Sequence, residues 1–389
     1  MRLVPPLTFG FTPRLAALYA AFFIVAGISQ PFLPIWMSAK GLDPATIGVV
    51  LAAPMLLRIL TIPLATRQAD RRDALRGAIV VAACFCVAGY VLMGFSDGAA
   101  QILIAYALAS LAFTPLMPLA ETYAFKGLTA RGQAYGPVRL WGSATFILGN
   151  LAAGVAADII PARHIIWMVV VASFGTVLAA FALQPISTAA PVTSAPEQPR
   201  HNLLRDRPFI AVLAAASLIQ ASHAVFYGFA AVDWRGIGLD GTVIAALWAL
   251  GVAAEIVLFA FSGRLPPLFQ PTVLLMVGAL GATLRWAGMA LDPPVAALPW
   301  LQMLHALSFG ATHLGALGFV ARHAPAGQSA TAQGYLAIAL GLVMAAAMGI
   351  SGWLYAGFGN LAYAAMALAA VAGGVCALGA HRARGQAAF

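Results

Sequence analysis

Five ionisable side chains fall inside long apolar stretches of this sequence: Arg58, Glu121, Arg139, Glu255 and Arg285, joined by the titratable His223, His305 and His313. A charge at the centre of a bilayer costs from about 2.5 kcal/mol upward, so such a group normally faces a cavity or a partner. Glu121 lies toward the end of one stretch and Arg139 at the start of the next, with a short turn between. The two can meet across an antiparallel hairpin, as a salt bridge or as a shared ligand site. Arg285 and His305 are similarly placed on consecutive stretches, and Glu255 in the stretch before offers an anion for Arg285. Both groupings also read as structural ion pairs that hold helices together.

The chemistry open to them is proton exchange and anion binding. A carboxyl group in a low-dielectric cavity holds a proton more readily, and a nearby Arg opposes this, so a ligand that alters the Arg contact alters the hold on the proton. Glu121 and Glu255 are the candidate acids, because the Asp residues fall in or near loops. With the histidines neutral, three Arg stand against two Glu within the apolar stretches. An anionic substrate could balance the remaining charge, the guanidinium fork taking a carboxylate in bidentate fashion. His223 and Tyr227, followed by Phe229 and Trp234, read as the wall of a substrate cavity, with Trp234 near the boundary as an interfacial anchor. His305 and His313 read equally well as hydrogen bonding across helices.

The elements that must position these groups are transmembrane helices. Of 389 residues 62% are hydrophobic and 8% charged, whereas soluble domains carry about 25% charged residues. A spanning helix needs roughly 20 apolar residues, and the hydrocarbon core accepts only helices or closed barrels. Six spans are read at Pro13–Met37, Pro44–Thr66, Leu75–Ser96, Ala99–Phe125, Val138–Ala157 and His164–Leu183. Six more follow at Pro208–Val232, Thr242–Ser262, Pro271–Leu291, Val295–Val320, Ala330–Tyr355 and Leu361–Ala380. The fold class is therefore an all-α membrane protein of twelve transmembrane helices in two pseudo-symmetric six-helix bundles.

Bundles at 1–184 and 208–389 are separated by a cytoplasmic linker at 185–207, polar and broken by Pro185, Pro191, Pro196 and Pro199. A shift of 197 positions sets Leu42-Asp43 on Leu239-Asp240, Arg58 on Glu255 and Arg67 on Arg264, a faint internal repeat. Pro31 and Pro34 in the first span, and Pro115 and Pro118 in the fourth, should kink those helices.

Nearly all basic loop residues collect on one side if both termini are cytoplasmic, which is the expected orientation in an inner membrane. The formal charge of +9 is then a topology signal, and short loops leave no folded basic surface for nucleic acid. Cys84, Cys86 and Cys376 lack metal-ligand spacing and are expected as small buried hydrophobes. The first span is too long for a signal-peptide core and lacks a clean cleavage site, so it reads as a mature helix. No metal or cofactor is indicated. The sequence lacks paired His and acidic ligands at helical spacing and has no P-loop, which speaks against an intramembrane enzyme or an ATP-driven pump.

Several segments resemble the major facilitator superfamily, and within it the phenylpropionate permease family, related to lactose permease and nucleoside:proton symporters. Phe22 to Ile24 with Gln30 to Trp36 resembles the family's opening helix, and Ala69 to Arg72 the Asp-Arg core of its cytoplasmic loop. Tyr135 to Gly142 is similar to the YGRxRLWGS signature, with Pro137 in place of the first Arg. Gln220 to Phe229, Trp248 to Phe259 and Leu284 to Gly288 resemble the phenylpropionate permease pattern. In the tenth span His305 is kept where lactose permease carries Lys, His and Glu, and Ser308 replaces that Glu.

The resemblance implies a proton-coupled importer of a small organic solute, an aromatic carboxylate such as 3-phenylpropionate, working as a monomer by alternating access. Glu121, Arg139, Trp141, His223 and Tyr227 would bind substrate, and Glu255, Arg285 and His305 would couple protons. Arg58, Asp70 and Arg71 would serve gating or structural roles. A nucleoside or sugar symporter, an exporter, or a receptor on the same fold are the alternatives.

Overall fold

The computed structural model describes residues 10–71, 74–186, 202–264, 266, 268–325 and 328–386, and among these the regular structure is helical, with no strand. Helices α1 (Phe11–Ala39), α2 (Pro44–Arg71), α3 (Leu75–Gly94), α4 (Ala99–Thr129), α5 (Tyr135–Ile159) and α6 (Ile165–Ala182) make the first six spans. The seventh consists of α7 (Arg207–Ala221) and α8 (Ala224–Gly236), the eighth is α9 (Gly241–Phe261) and the ninth α10 (Pro271–Ala290). The tenth is composite: α11 (Leu298–Met303), a π-helical turn (Ala306–Ala311) and α12 (Thr312–His323). Helices α13 (Ser329–Phe358) and α14 (Ala362–Gln386), joined by a short turn at Gly359–Leu361, complete twelve crossings. Unbroken helices run from 18 residues in α6 to 31 in α4, or about 27 to 47 Å at 1.5 Å per residue, enough for a hydrocarbon core of ~30 Å.

Burial is inverted relative to a soluble protein. Leu60, Leu64 and Phe85 are each 66% exposed, whereas Asn150 and Gln302 are fully buried and Arg285 is 1% exposed. Water would penalise that arrangement and lipid favours it, because apolar side chains face hydrocarbon while polar groups find one another inside. The cysteines divide on the same principle. Cys86 is buried as expected, but Cys84 is exposed, two positions and therefore about 200° around α3 from it.

Two compact units divide the described chain. The first holds α1 to Trp36, α2 from Leu57, and α3 to α6; the second holds Met37–Leu56 and α7 to α14. The start of α2 thus groups with the second unit, where the halves expected from sequence divide at the linker. Close backbone approach explains it, since a Cβ on Gly48 would stand 2.9 Å from the Cα of Gly352. The first core gathers Leu15, Tyr19, Ile79, Leu116, Tyr123 and Ala180, and the second Phe209, Leu275, Phe319, Leu336 and Ala377. Residues 187–201 of the expected linker lie outside the described residues. Its end forms a turn at Leu203–Arg205, after which Asp206 caps α7 through the Phe209 amide at 3.4 Å.

The repeat is visible at helix starts. Asp43 caps α2 by accepting from the Thr46 amide at 3.0 Å and hydroxyl at 2.6 Å, bonds that hold its carboxyl below the usual carboxylate range. Asp240, in the same register, is the N-cap residue of α9. Pro31, Pro34, Pro115 and Pro118 all lie inside continuous helices.

Close helix contact at small residues gives a direct test. A Cβ on Gly89 of α3 would lie 2.5 Å from the Cα of Ala109 on α4, whereas one on Gly175 of α6 would meet nothing within 4 Å. Gly89→Val should cost about 1–3 kcal/mol through overpacking and lower the melting temperature of the detergent-solubilised protein. Gly175→Ala should leave it unchanged or raise it.

Candidate functional site

Each unit contains one ionisable cluster, and the helix geometry decides which of the expected residues belong to it. In the first unit Tyr135, the opening residue of α5, reaches back to α4 and donates its hydroxyl to Glu121 Oε1 at 3.3 Å. Its ring stacks on Phe125 at 4.6 Å and meets Tyr19 edge-on at 6.2 Å. Arg139, one turn further along α5, lays its guanidinium over Phe23 at 4.2 Å and near Tyr19 at 5.9 Å. Gly142 makes this possible, because a Cβ there would lie 2.7 Å from the Phe23 ring and 2.9 Å from Arg139 Nη1.

Glu121 and Arg139 therefore share an aromatic cluster, but what joins them is Tyr135 and Tyr19 rather than a direct ion pair. Both are half-buried. Among the described residues the Arg139 N–H groups meet no hydrogen-bond acceptor, so the fork is held by ring faces and its donors stay available. Trp141 is not brought to this cluster. It is 57% exposed and lines a separate apolar groove with Pro13, Ala16, Ala17 and Ala20 of α1, because residues 139 and 141 point to opposite sides of α5. Arg58 is exposed on α2, away from the cluster. The side chains of Asp70 and Arg71 lie outside the described residues.

The second unit holds a longer chain of contacts, built on two irregular helices. In the seventh span the helix breaks at Ser222 and His223. The His223 amide bonds to Gln220 O at 3.1 Å, Ser222 Oγ donates to Ile219 O at 2.6 Å, and His223 Nδ1 lies 3.2 Å from Ile219 O and 3.1 Å from Gln220 O. Side chains thus take over carbonyls that a continuous helix would use. In the tenth span the π turn frees backbone groups, and Gln220 Nε2 donates to Phe309 O at 3.4 Å. Both spans were expected as continuous helices, and these polar substitutions for backbone bonds are the reason they are not.

Those breaks turn His223, His305 and Ser308 toward Arg285. Arg285 Nη1 donates to His305 Nδ1 at 2.9 Å and to Ser308 Oγ at 3.3 Å, and Nη2 donates to Gln302 Oε1 at 2.6 Å. Phe226 and Trp286 each cover the guanidinium at 4.5 Å. His305 Nε2 stands 3.4 Å from Glu255 Oε2. Ser308 Oγ lies 3.1 Å from His223 Nε2, and Tyr227 stacks on the His223 ring at 5.6 Å. His313 sits further along, stacked on Phe309 at 5.9 Å.

Donor and acceptor roles along this chain are fixed by Arg285, which has no lone pair to offer. It can only donate to His305 Nδ1, so that ring carries its proton on Nε2 and presents it to the Glu255 carboxylate. It can only donate to Ser308; His223 Nδ1 faces the Ile219 and Gln220 carbonyls and donates to them, so its Nε2 accepts from the Ser308 hydroxyl. The sequence expectation that Glu255 neutralises Arg285 directly is corrected. His305 stands between them, because His305 and Ser308, three residues apart, both face α10 across the π turn.

The sequence reading did not assign roles to Gln302, Ser308, Trp286, Tyr135 or Phe23. A usable signal was present: Gln302, His305 and Ser308 recur every three residues within an apolar span.

Comparison with known proteins places the chain. Residues 13–364 match the MFS_1 like family. The chain belongs to that family. It is 31% identical over 373 residues to the "Probable 3-phenylpropionic acid transporter" of Escherichia coli (strain K12), covering 92% of this chain and 95% of the relative. The maltose permease of Geobacillus stearothermophilus is 27% identical over 340 residues, 83% of this chain and 82% of the relative. A crystal structure of a mutant of the nucleoside transporter NupG superposes with a TM-score of 0.86 at 15% identity, covering 95% of this chain and all of that one, which shows a shared fold. This MFS_1-like chain is a secondary transporter and a multi-pass inner-membrane protein.

The assigned tautomers are testable. Nitrogen NMR of His305 should show protonation at Nε2 with Nδ1 unprotonated, and a proton on Nδ1 would contradict the Arg285 contact. Ser308→Ala leaves His223 Nε2 and an Arg285 N–H without partners, and should cost about 1–3 kcal/mol in thermal unfolding.

Proposed function

We infer that this transporter carries a small aromatic carboxylate, with 3-phenylpropionate the leading candidate, into the cell together with protons. The observation that supports coupling is the position of His305, whose two nitrogens are divided between Arg285 and Glu255. While Arg285 donates to Nδ1, that nitrogen cannot take a proton. A carboxylate that drew the guanidinium aside would free Nδ1, and the resulting imidazolium would be held by Glu255. Anion arrival and proton uptake then favour one another, which is the thermodynamic content of symport.

Arg139 is suited to anchor the substrate. Its guanidinium rests on Phe23 beside Tyr19 and Tyr135, with Phe22 stacked on Phe113 at 4.6 Å nearby. That combination offers a fork for a carboxylate and ring faces for an aromatic body, while Tyr135 keeps the Glu121 carboxylate occupied. The relationship to a probable 3-phenylpropionic acid transporter across nearly the whole chain supports this substrate class. Transport would proceed by alternating access, in a monomer with both termini in the cytoplasm.

Proteoliposomes given labelled 3-phenylpropionate in the external medium separate the roles. An imposed inward proton gradient should drive accumulation in the wild type. Glu255→Gln should abolish gradient-driven accumulation yet retain substrate exchange, and Arg139→Lys should weaken both, by about 10-fold or more if a charge-assisted bond is lost. Accumulation indifferent to the gradient, or uptake of maltose or a nucleoside in place of the carboxylate, would overturn the reading.

A further inference from the structure

Arg285 presents more hydrogen-bond donors than the protein answers. A guanidinium has five N–H groups, and three are engaged, by His305, Ser308 and Gln302. Nε is buried without an acceptor. Two more buried donors of the same cluster are also without one: Gln302 Nε2 and the indole Nε1 of Trp248. Trp248 stacks on Phe226 at 4.6 Å, and Phe226 is the ring that covers Arg285. One turn along α9 from Trp248 stands Gly251, where a Cβ would lie 3.4 Å from Gln302 O, so α9 and α11 touch at this level.

Every protein group bonded to this buried cation is neutral. His305 carries its lone pair toward Arg285, Ser308 and Gln302 offer uncharged oxygens, and Glu255 is held off beyond His305. Unanswered donors around an uncompensated positive charge call for an acceptor that is itself negative. A water molecule could accept from these groups but would leave the charge unbalanced.

We propose that Arg285, Gln302 and Trp248 form an anion-binding site inside the second unit, distinct from Arg139, for a monovalent anion of carboxylate or halide type. The anion accepts from Arg285 Nε, Gln302 Nε2 and Trp248 Nε1. The site shares Arg285 with the proposed coupling path, but it can be tested at equilibrium without a gradient or turnover. Failure of symport therefore leaves it standing, and its own failure leaves the uptake experiment unaffected.

The test is calorimetric titration of the full-length, detergent-purified Arg139→Lys protein with sodium acetate, sodium 3-phenylpropionate and sodium bromide. Ionic strength is held with sodium isethionate. Weakening the Arg139 fork lowers the contribution of the first unit, and the Trp248 and Gln302 variants assign the remaining signal to the second. At least one anion should bind, and added Trp248→Phe, which keeps the ring stack and removes only the N–H, should weaken it about tenfold. Gln302→Met should weaken it likewise. Binding of either carboxylate assigns the site to that class, and binding of bromide alone assigns it to halide. No saturable binding by any of the three, or unchanged affinity in both variants, would overturn the proposal.

Discussion

A guanidinium buried to 1% exposure inside a membrane-crossing helix, bonded only to neutral protein groups, is the constraint on which the second unit is organised. Leaving Arg285 in hydrocarbon would be costly, so each neighbour serves it as an acceptor or an aromatic face. Phe226 and Trp286 supply π-faces, and Trp286 is fixed in turn by its indole N–H bond to Ser222 Oγ at 2.8 Å. His305 supplies its lone pair in one tautomer only, and the Ser308 oxygen accepts from Arg285 while lying 3.1 Å from His223 Nε2.

The irregular backbone follows from the same requirement. A straight helix through the seventh span would commit the Ile219 carbonyl to a backbone bond, and His223 would lose one of the acceptors that orient it. In the tenth, His305 and Ser308 stand three residues apart, neighbours on one helix face, and both reach one guanidinium at the π turn. Non-helical backbone within a membrane is tolerated where it is buried in protein, and at this turn Gln220 Nε2 adds a side-chain donor to Phe309 O.

Much of this was legible in the sequence, and the limits have physical causes. The apolar runs are long and bounded by turns, so all twelve crossings could be read, and charges that lipid rejects stand out against them: Glu121, Arg139, Glu255, Arg285 and His305 were found by type alone. Their order in space was not. Linear spacing places Glu255 and Arg285 on neighbouring helices but does not say that His305 comes between them. Trp141 falls outside the Glu121 cluster for a related reason, since helical phase decides which residue turns inward. Ser308 looked like a missing acid, and its role as the link between Arg285 and His223 depends on a π turn that composition does not announce.

In the first unit the corresponding solution is different. Arg139 keeps its charge by stacking on Phe23 and leaves its donors available, whereas Arg285 is almost wholly enclosed. One cation is thus suited to meet a solute and the other to respond to it, which is the division of labour that the proposed coupling requires. The central claim is that anion binding frees His305 to take a proton, and direct measurement of protons in weakly buffered, detergent-purified protein tests it without a membrane. Addition of 3-phenylpropionate near neutral pH should draw protons from solution in proportion to the ligand bound, and Glu255→Gln should suppress that uptake while binding persists. Binding with no proton uptake in the wild type would contradict the account.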